Sequence, residues 1–149
     1  MSPTTQASTR TAALEDLLCF DLYSASRAVT ACYRPLLTEL GLTYPQYLVV
    51  RVLGDGAARP VSSLVNDLHL DHGTLTPLLR RLETAGLVTR TRSTSDERVV
   101  EIGLTAAGTA LQDRFADLDC QIREAMGLDE TAARDLQTRL RALTDGLRC

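Results

Sequence analysis

The feature that most constrains the fold is a central run of two short helical segments, a tight turn and a segment of alternating residues. Short helices are predicted over 62–68 and 74–85, and Gly86 ends the second one. The spacing of the apolar residues then changes from helical to alternating, and two strands are predicted over 87–92 and 99–104 with turn residues between them. Two short helices joined by a tight turn form a helix-turn-helix. The centre of the chain is therefore predicted to be a helix-turn-helix followed by a small hairpin, or wing.

Helices with apolar stripes flank this central unit on both sides. The N-terminal region spans about 13–42, where Pro35 is predicted to kink or interrupt the first helix. The C-terminal region spans about 105–148, where Thr105 and Asp129 are predicted N-caps. A small domain alone would struggle to cover these stripes, so we expect a dimer formed by the N- and C-terminal helices. The predicted fold class is mainly α with a small β-hairpin, a winged helix-turn-helix.

Length and composition favour one domain. The 149 residues, 44% of them hydrophobic, suffice for one core. Residues 1–12 lack periodicity and are predicted to form a flexible arm, which leaves 13–149 as a single domain with the winged helix-turn-helix at about 45–104. The chain has neither a long apolar run nor a signal-peptide pattern, so we expect a cytoplasmic protein without a membrane partner.

The charge pattern points to DNA only when its local distribution is considered. A net charge of -3 argues mildly against nucleic acid, but all sixteen basic residues are arginine and five of them fall within 80–98. Singly, such arginines are typical of a solvated surface, whereas an arginine-bearing wing after a helix-turn-helix favours DNA binding. The predicted DNA-binding residues are Ser62, Gly73, Thr74, Thr76, Pro77, Arg80, Arg81, Arg90, Arg92, Asp96 and Arg98.

Specific contacts are expected from the second helix and from the wing. Thr74 and Thr76 lie at the predicted start of the recognition helix, where hydroxyl groups reach bases or phosphates. Arg98 at the wing tip suits a minor groove, and Asp96 is predicted to accept a hydrogen bond from its guanidinium.

From about residue 14 to 147 the sequence resembles the MarR family of transcription regulators. The match is closest in the segments Asp71–Glu83, Ala85–Val88, Asp96–Arg98 and Leu104–Thr105. The resemblance implies an obligate homodimer that reads a pseudo-palindromic operator in double-stranded DNA. It also implies that the terminal helices form the dimer interface.

The cysteines bear on what such a regulator would sense. Cys19 shares a helix face with Tyr23, and Tyr33 and Tyr44 follow in the sequence. A thiol reacts with peroxide as the thiolate, and free thiols, with a pKa of about 8.5, are mostly protonated near pH 7. Phenol hydroxyls that donate to sulfur would stabilise the anion. From the residues alone, Cys19 is as compatible with a buried apolar site as with a reactive one.

Around Cys19 the sequence is similar to the organic hydroperoxide sensor branch of that family, the OhrR regulators. The similarity covers Leu18–Phe20, Leu22–Ala28, Tyr33–Leu37 and Gly41–Tyr47. It implies a repressor in which Tyr33 and Tyr44 bond to Cys19. An organic hydroperoxide then oxidises Cys19 to a sulfenic acid and breaks those bonds, and the operator is released. Tyr23 is a third tyrosine near the thiol. Some members then form an intersubunit disulfide, for which Cys120 matches in position.

Several alternatives stay open. A phenolic or antibiotic-like ligand, rather than oxidation, could release the DNA, and Cys149 could replace Cys120 as the resolving thiol. A thiol peroxidase is the enzymatic alternative, but an arginine-bearing wing gives it no advantage, so no enzyme is predicted. No cofactor or metal site is predicted either. His69 and His72, near Asp67 and Asp71, lie in the turn without a nearby cysteine, which favours contact with solvent or phosphate.

Overall fold

The computed structural model describes residues 13–147, so the predicted arm at 1–12 and Cys149 lie outside the described residues. Residues 13–15 form a helical turn, and the chain leaves helical geometry at 16–17. The elements that follow are α1 (Leu18–Glu39), α2 (Tyr44–Val52), β1 (Arg59–Pro60), α3 (Val61–Leu68), α4 (His72–Thr84), β2 (Val88–Arg92), β3 (Val100–Leu104), α5 (Ala106–Met126) and α6 (Glu130–Gly146).

The predicted N-caps lie where the helices begin. Thr43 forms a capping box with Gln46 at the start of α2, in which each side chain accepts a bond from the other residue's backbone N–H. Thr105 accepts a bond of 3.1 Å from the Gly108 N–H at the start of α5, and Asp129 caps α6 in the same way. The helix starts of the C-terminal region are therefore confirmed.

Helix α1 runs through Pro35 without interruption and ends at Glu39. The predicted interruption at this proline is therefore wrong. Proline removes its own N–H from the helical ladder and its ring crowds the carbonyl four residues earlier, but the turn that contains it is held against the core by Leu36 and Leu37, of which Leu37 is 1% exposed. Gly41, at φ +70°, then turns the chain towards α2.

The wing belongs to a three-stranded antiparallel sheet in the order β1-β3-β2. Strands β2 and β3 form the predicted hairpin, with Arg90 opposite Ile102. The prediction missed β1, which pairs Arg59 with Ile102 from the other side. Two residues that include a proline carry no alternating signal, and proline is tolerated because β1 is an edge strand.

The core lies where α2, α3 and α4 meet the sheet. Leu64, Leu75, Leu82 and Ile102 are each 0% exposed. Gly108 lets α5 approach the β2 end closely, because a Cβ at this position would lie 2.2 Å from the Leu87 carbonyl oxygen. Helices α2 to α4 and the sheet form a winged helix-turn-helix, so the predicted fold class is confirmed; we name this unit, residues 44–104, the winged lobe.

The terminal helices leave apolar side chains uncovered in the single chain. No residue of α6 is buried, and Leu18 and Leu147 are 64% and 63% exposed. The other large apolar side chains with high exposure at the two ends are Leu14, Leu17, Phe20, Tyr23, Met126, Leu128, Leu136 and Leu140. Over residues 13–147 no helix is long and apolar enough to cross a membrane.

Candidate nucleic-acid interface and thiol site

The recognition helix begins two residues earlier than predicted, and this changes the role of one threonine. Asp71 is the N-cap of α4, and its carboxylate accepts bonds of 2.7 Å from the Thr74 N–H and 3.0 Å from the Thr74 hydroxyl. These bonds hold the pKa of the Asp71 carboxyl below its usual value, the backbone bond contributing most. The Thr74 hydroxyl, predicted to face bases, is therefore engaged in the cap.

An open cleft lies between α4 and the wing. It has a volume of about 390 Å³ and is lined by Val61, Ser62, His72, Thr76, Leu79, Arg90, Arg98, Val99 and Val100. Four predicted DNA-binding residues, Ser62, Thr76, Arg90 and Arg98, thus converge on one concave surface from α3, α4, β2 and the wing tip. No carboxylate lines this cleft, so its charge is positive, which suits a phosphate backbone.

At the wing tip, two predicted DNA-binding residues instead support the turn. The Arg92 guanidinium donates a 3.0 Å bond to the Glu97 carbonyl oxygen. The Asp96 carboxylate accepts a 3.0 Å bond from the Arg98 backbone N–H rather than from its guanidinium, so the predicted clamp on the Arg98 side chain is wrong. Asp96 forms the Asx-type bond two residues onwards that stabilises tight turns, which leaves the Arg98 side chain to line the cleft.

The remaining predicted DNA-binding residues lie on the exposed surface of α4 outside the cleft. They are Gly73, Pro77, Arg80 and Arg81. The helix continues past Pro77 to Thr84. Two contact surfaces therefore follow one another along α4, the cleft and then the exposed arginines.

Cys19 is exposed, and it is far from two of the tyrosines predicted to bond to it. Cys19 and Tyr33 are fourteen positions apart on the continuous helix α1, which at 1.5 Å per residue separates them by about 21 Å. Tyr44 packs on Tyr33, with ring centroids 4.9 Å apart, so it lies at the same far end of α1 from this thiol. Within one chain, neither tyrosine can bond to Cys19.

Tyr33 and Tyr44 instead belong to an aromatic cluster that also contains Tyr47 and Phe115. The Tyr47 ring lies 5.4 Å from the Tyr33 ring and 4.8 Å from the Phe115 ring, the latter edge to face. Burial raises the pKa of Tyr33 and of Tyr44. These hydroxyls therefore stay protonated and able to donate a hydrogen bond at neutral pH.

The cluster is tied to α5 by a charged network. The Tyr47 hydroxyl donates a 2.8 Å bond to the Asp119 carboxylate, which forms an ion pair of 2.7 Å with Arg51. Burial, followed by the bond to Asp119, raises the pKa of Tyr47. Tyr47 was not predicted as a residue of this site, although its position three residues after Tyr44 puts both on one face of α2.

The Tyr23 hydroxyl has a partner other than the thiol. It accepts a 3.2 Å bond from the Arg27 guanidinium, which also lies 5.5 Å from the centre of its ring. Cys19, Tyr23 and Arg27 follow one another at intervals of four on the same face of α1. A cation thus lies two helical turns from the thiol.

Two further cysteines are exposed in the single chain. Cys120 lies on α5 beside Asp119, off the buried stripe of that helix, with its Sγ 4.0 Å from a carboxylate oxygen of Glu124. Cys32 of α1 is exposed as well. Over residues 13–147, no group of three or more His, Cys, Asp or Glu side chains is arranged to hold a metal.

Comparison with known proteins gives consistent matches over most of the chain. Residues 31–115 match the family described as transcriptional regulator SarA/Rot. An organic hydroperoxide resistance transcriptional regulator of Bacillus subtilis (strain 168) is 44% identical over 124 residues, which are 83% of this chain and 82% of that protein.

Solved structures with similar folds include two of AbfR, a protein of Staphylococcus epidermidis. Reduced AbfR bound to DNA is 32% identical with a TM-score of 0.75. AbfR with a disulfide formed is also 32% identical, with a TM-score of 0.61. Each alignment covers 97% of both chains.

Proposed function

Because the chain belongs to the MarR/SarA-like family of transcriptional regulators, we propose that it is a homodimeric repressor that an organic hydroperoxide releases from its operator. In the reduced state it occupies double-stranded DNA through α4 and the wing. Oxidation of Cys19 then lowers its affinity for DNA. It acts as a sensor rather than an enzyme, and it works in the cytoplasm, where its DNA lies.

The observation that carries the sensing part is the position of Cys19 on uncovered surface. Its neighbours Leu18 and Phe20 are 64% and 42% exposed, as expected of a face that a second copy covers. In the same chain Tyr33 lies about 21 Å further along α1, and Tyr44 packs against Tyr33. The tyrosines that bond to Cys19 are therefore those of the partner subunit, and each thiol site is complete only in the dimer.

The proposed chemistry balances without any cofactor. The Cys19 thiolate attacks the peroxide oxygen and breaks the O–O bond, which yields a sulfenic acid and, after protonation, an alcohol. The Cys120 thiol of the partner subunit then attacks the sulfenic sulfur, and a disulfide and water form. Cys120 is exposed, as this second step requires.

Oxidation reaches the DNA-binding surface through packed helices. Helix α1 contacts α2 and α5, and α2 contacts both α3 and α4 of the winged lobe. The aromatic cluster lies between α1, α2 and α5. A change in the Tyr33 and Tyr44 contacts therefore alters the position of α2, against which α4 packs. A difference in DNA affinity of about 3 to 4 kcal/mol between the two states changes occupancy several hundredfold.

The test is DNA binding by the reduced protein before and after one equivalent of an organic hydroperoxide, with a duplex from upstream of its own gene. Wild type should release the duplex, whereas Cys19→Ser should stay bound. Cys32→Ser is the matched control, because it removes another exposed thiol from the same helix and should behave as wild type.

The same assay separates the alternatives. If Cys19→Ser also releases DNA, the thiol is not the trigger, and a bound small ligand becomes the signal to test. If the wild type consumes many peroxide molecules per chain in the presence of a thiol reductant, the protein is a peroxidase. Cys120→Ser should lose the peroxide-induced covalent dimer on a non-reducing gel; its persistence would assign the second step to another thiol.

A further inference from the structure

We propose that His72, in its protonated form, binds a backbone phosphate of the operator beside Arg90 and Arg98, so that DNA binding takes up a proton. This inference rests on the proposed function, and it adds a titratable ligand to the same surface. The sequence predicted only that His72 contacts solvent or phosphate, and it did not place His72 among the DNA-binding residues. It is the first residue of α4, and its side chain is exposed and lines the cleft between α4 and the wing.

The charged groups around this imidazole are arranged to receive an anion. Arg90 reaches the cleft from β2 and Arg98 from the wing tip, whereas α3 contributes the neutral residues Val61 and Ser62. The adjacent carboxylate, Asp71, accepts two bonds from Thr74 at the start of α4 and does not line the cleft. A phosphate is therefore the anion that can enter beside His72 when the cleft meets DNA.

Protonation and DNA binding are linked at such a site. Histidine is the side chain that normally changes charge between about pH 5 and 8. A phosphate oxygen within hydrogen-bond distance favours the imidazolium form, since only this form supplies both a second N–H and a positive charge. By linkage, a contact that favours the protonated form strengthens as the pH falls.

The experiment measures the dissociation constant of the reduced dimer on its upstream duplex from pH 8.0 to 5.5, at several salt concentrations. Wild type should bind about three- to tenfold more tightly at the acidic end, because the linked uptake of one proton allows up to tenfold per pH unit. At the acidic end its log-log salt slope should exceed that of His72→Gln by about 0.9, the value of one phosphate contact.

The chain contains two histidines, and the other one provides the matched control. His69 lies in a separate groove with residues of α6, so His69→Gln should keep the pH dependence of wild type. His72→Arg, which carries a permanent cation, should restore the salt slope and abolish the His72-dependent part of the pH effect. This variant also covers the case in which His72→Gln fails to fold.

The outcomes separate the inference from the proposed function. If the duplex binds but wild type and His72→Gln have the same pH dependence and salt slope, His72 is not a phosphate ligand and only the inference is overturned. A wild type without any pH dependence overturns it equally. If the reduced wild type prefers its upstream duplex to a scrambled duplex at no pH, the proposed repressor function fails, and the inference fails with it.

Discussion

The winged lobe and the terminal helices treat their apolar residues in opposite ways. In the lobe, Leu64 and Leu75 are 0% exposed, and the core closes within a single chain. In the terminal helices, Leu18 and Leu147 remain more than 60% exposed, and α6 contributes no buried residue. The core of the lobe is thus closed within one chain, with Leu37 of α1 and Phe115 of α5 as part of it, whereas the start of α1 and α6 leave apolar side chains uncovered.

This difference assigns separate tasks to the two regions. A lobe with a closed core can present its cleft to DNA as one unit. Helices that depend on a partner can change their packing at modest cost, because part of their stability comes from the contact between subunits. A signal at that contact therefore has a route to the lobe through the aromatic cluster, to which the lobe contributes Tyr44 and Tyr47.

The largest expected effect comes from breaking the contact between subunits. The double variant Leu136→Asp with Leu140→Asp places two charges on an apolar face that is 46% and 39% exposed in the single chain. Burial of these charges in a dimer interface is costly, so we expect monomers at micromolar concentration. Affinity for a two-site operator should fall at least about a hundredfold, because two linked lobes bind far more tightly than one. Light scattering and fluorescence anisotropy measure the two effects.

Thr138→Asp is the control for that variant. It adds a charge to an exposed polar position on the same helix, so the dimer and its DNA affinity should persist. If the double variant stays dimeric at the concentrations at which wild type is dimeric, α6 lies outside the interface. Its exposed apolar residues are then not covered by a second subunit.

A smaller effect should follow from glycine replacements in the two regions. Gly108→Ala would bring a Cβ to 2.2 Å from the Leu87 carbonyl oxygen, so α5 must shift away from the winged lobe. We expect the free energy of unfolding to fall by about 1 to 3 kcal/mol. Gly146→Ala meets no atom within 4 Å, and it should raise that free energy by up to about 1 kcal/mol. Denaturant titrations at equal protein concentration compare the pair, and equal losses would contradict a tight joint at Gly108.

The smallest effect concerns the network that ties the aromatic cluster to α5. Tyr47→Phe removes the 2.8 Å bond to Asp119, which should cost about 1 kcal/mol at pH 7. Burial raises the pKa of Tyr47, so the unfolded chain releases this proton first as the pH rises above about 10, and the folded state loses stability there. Tyr47→Phe should make that alkaline loss less steep.

The amino-acid composition limits which groups titrate in the alkaline stability measurement. All sixteen basic residues are arginine, so no lysine titrates in the same range. Tyr23→Phe is the control for the loss of a phenol hydroxyl, because Tyr23 is 59% exposed, and it should leave the free energy of unfolding at pH 7 nearly unchanged. The same slope in Tyr47→Phe and wild type would mean that another tyrosine causes the loss.

Local signals predicted most of the secondary structure, and their failures have identifiable causes. The capping residues Thr105 and Asp129 and the hairpin were read correctly because each depends on a few neighbouring residues. The start of α4 was misplaced because Asp71 was not recognised as its cap, and with it His72 was left in a turn. A kink or an interruption at Pro35 was predicted from the residue alone, whereas packing of the following turn keeps α1 uninterrupted.

The candidate sites were also predicted only in part from the sequence. The sequence identified the residue types of the cleft, but only the fold brought Ser62, Arg90 and Arg98 together from separate elements. It did not indicate that the Arg92 side chain supports the wing tip or that the Asp96 carboxylate holds a backbone N–H. Whether such a side chain binds a ligand or stabilises a turn depends on distances in the folded chain, and a local sequence pattern does not contain these distances.

Periodicity and turn chemistry in the sequence predicted the winged helix-turn-helix, whereas the resemblance to the OhrR regulators singled out Cys19 as the thiol to test. The structure then showed which contact that thiol cannot make within one chain. A continuous helix fixes the distance from Cys19 to Tyr33 at about 21 Å, and this rigid separation excludes a contact that their shared presence in one chain had suggested.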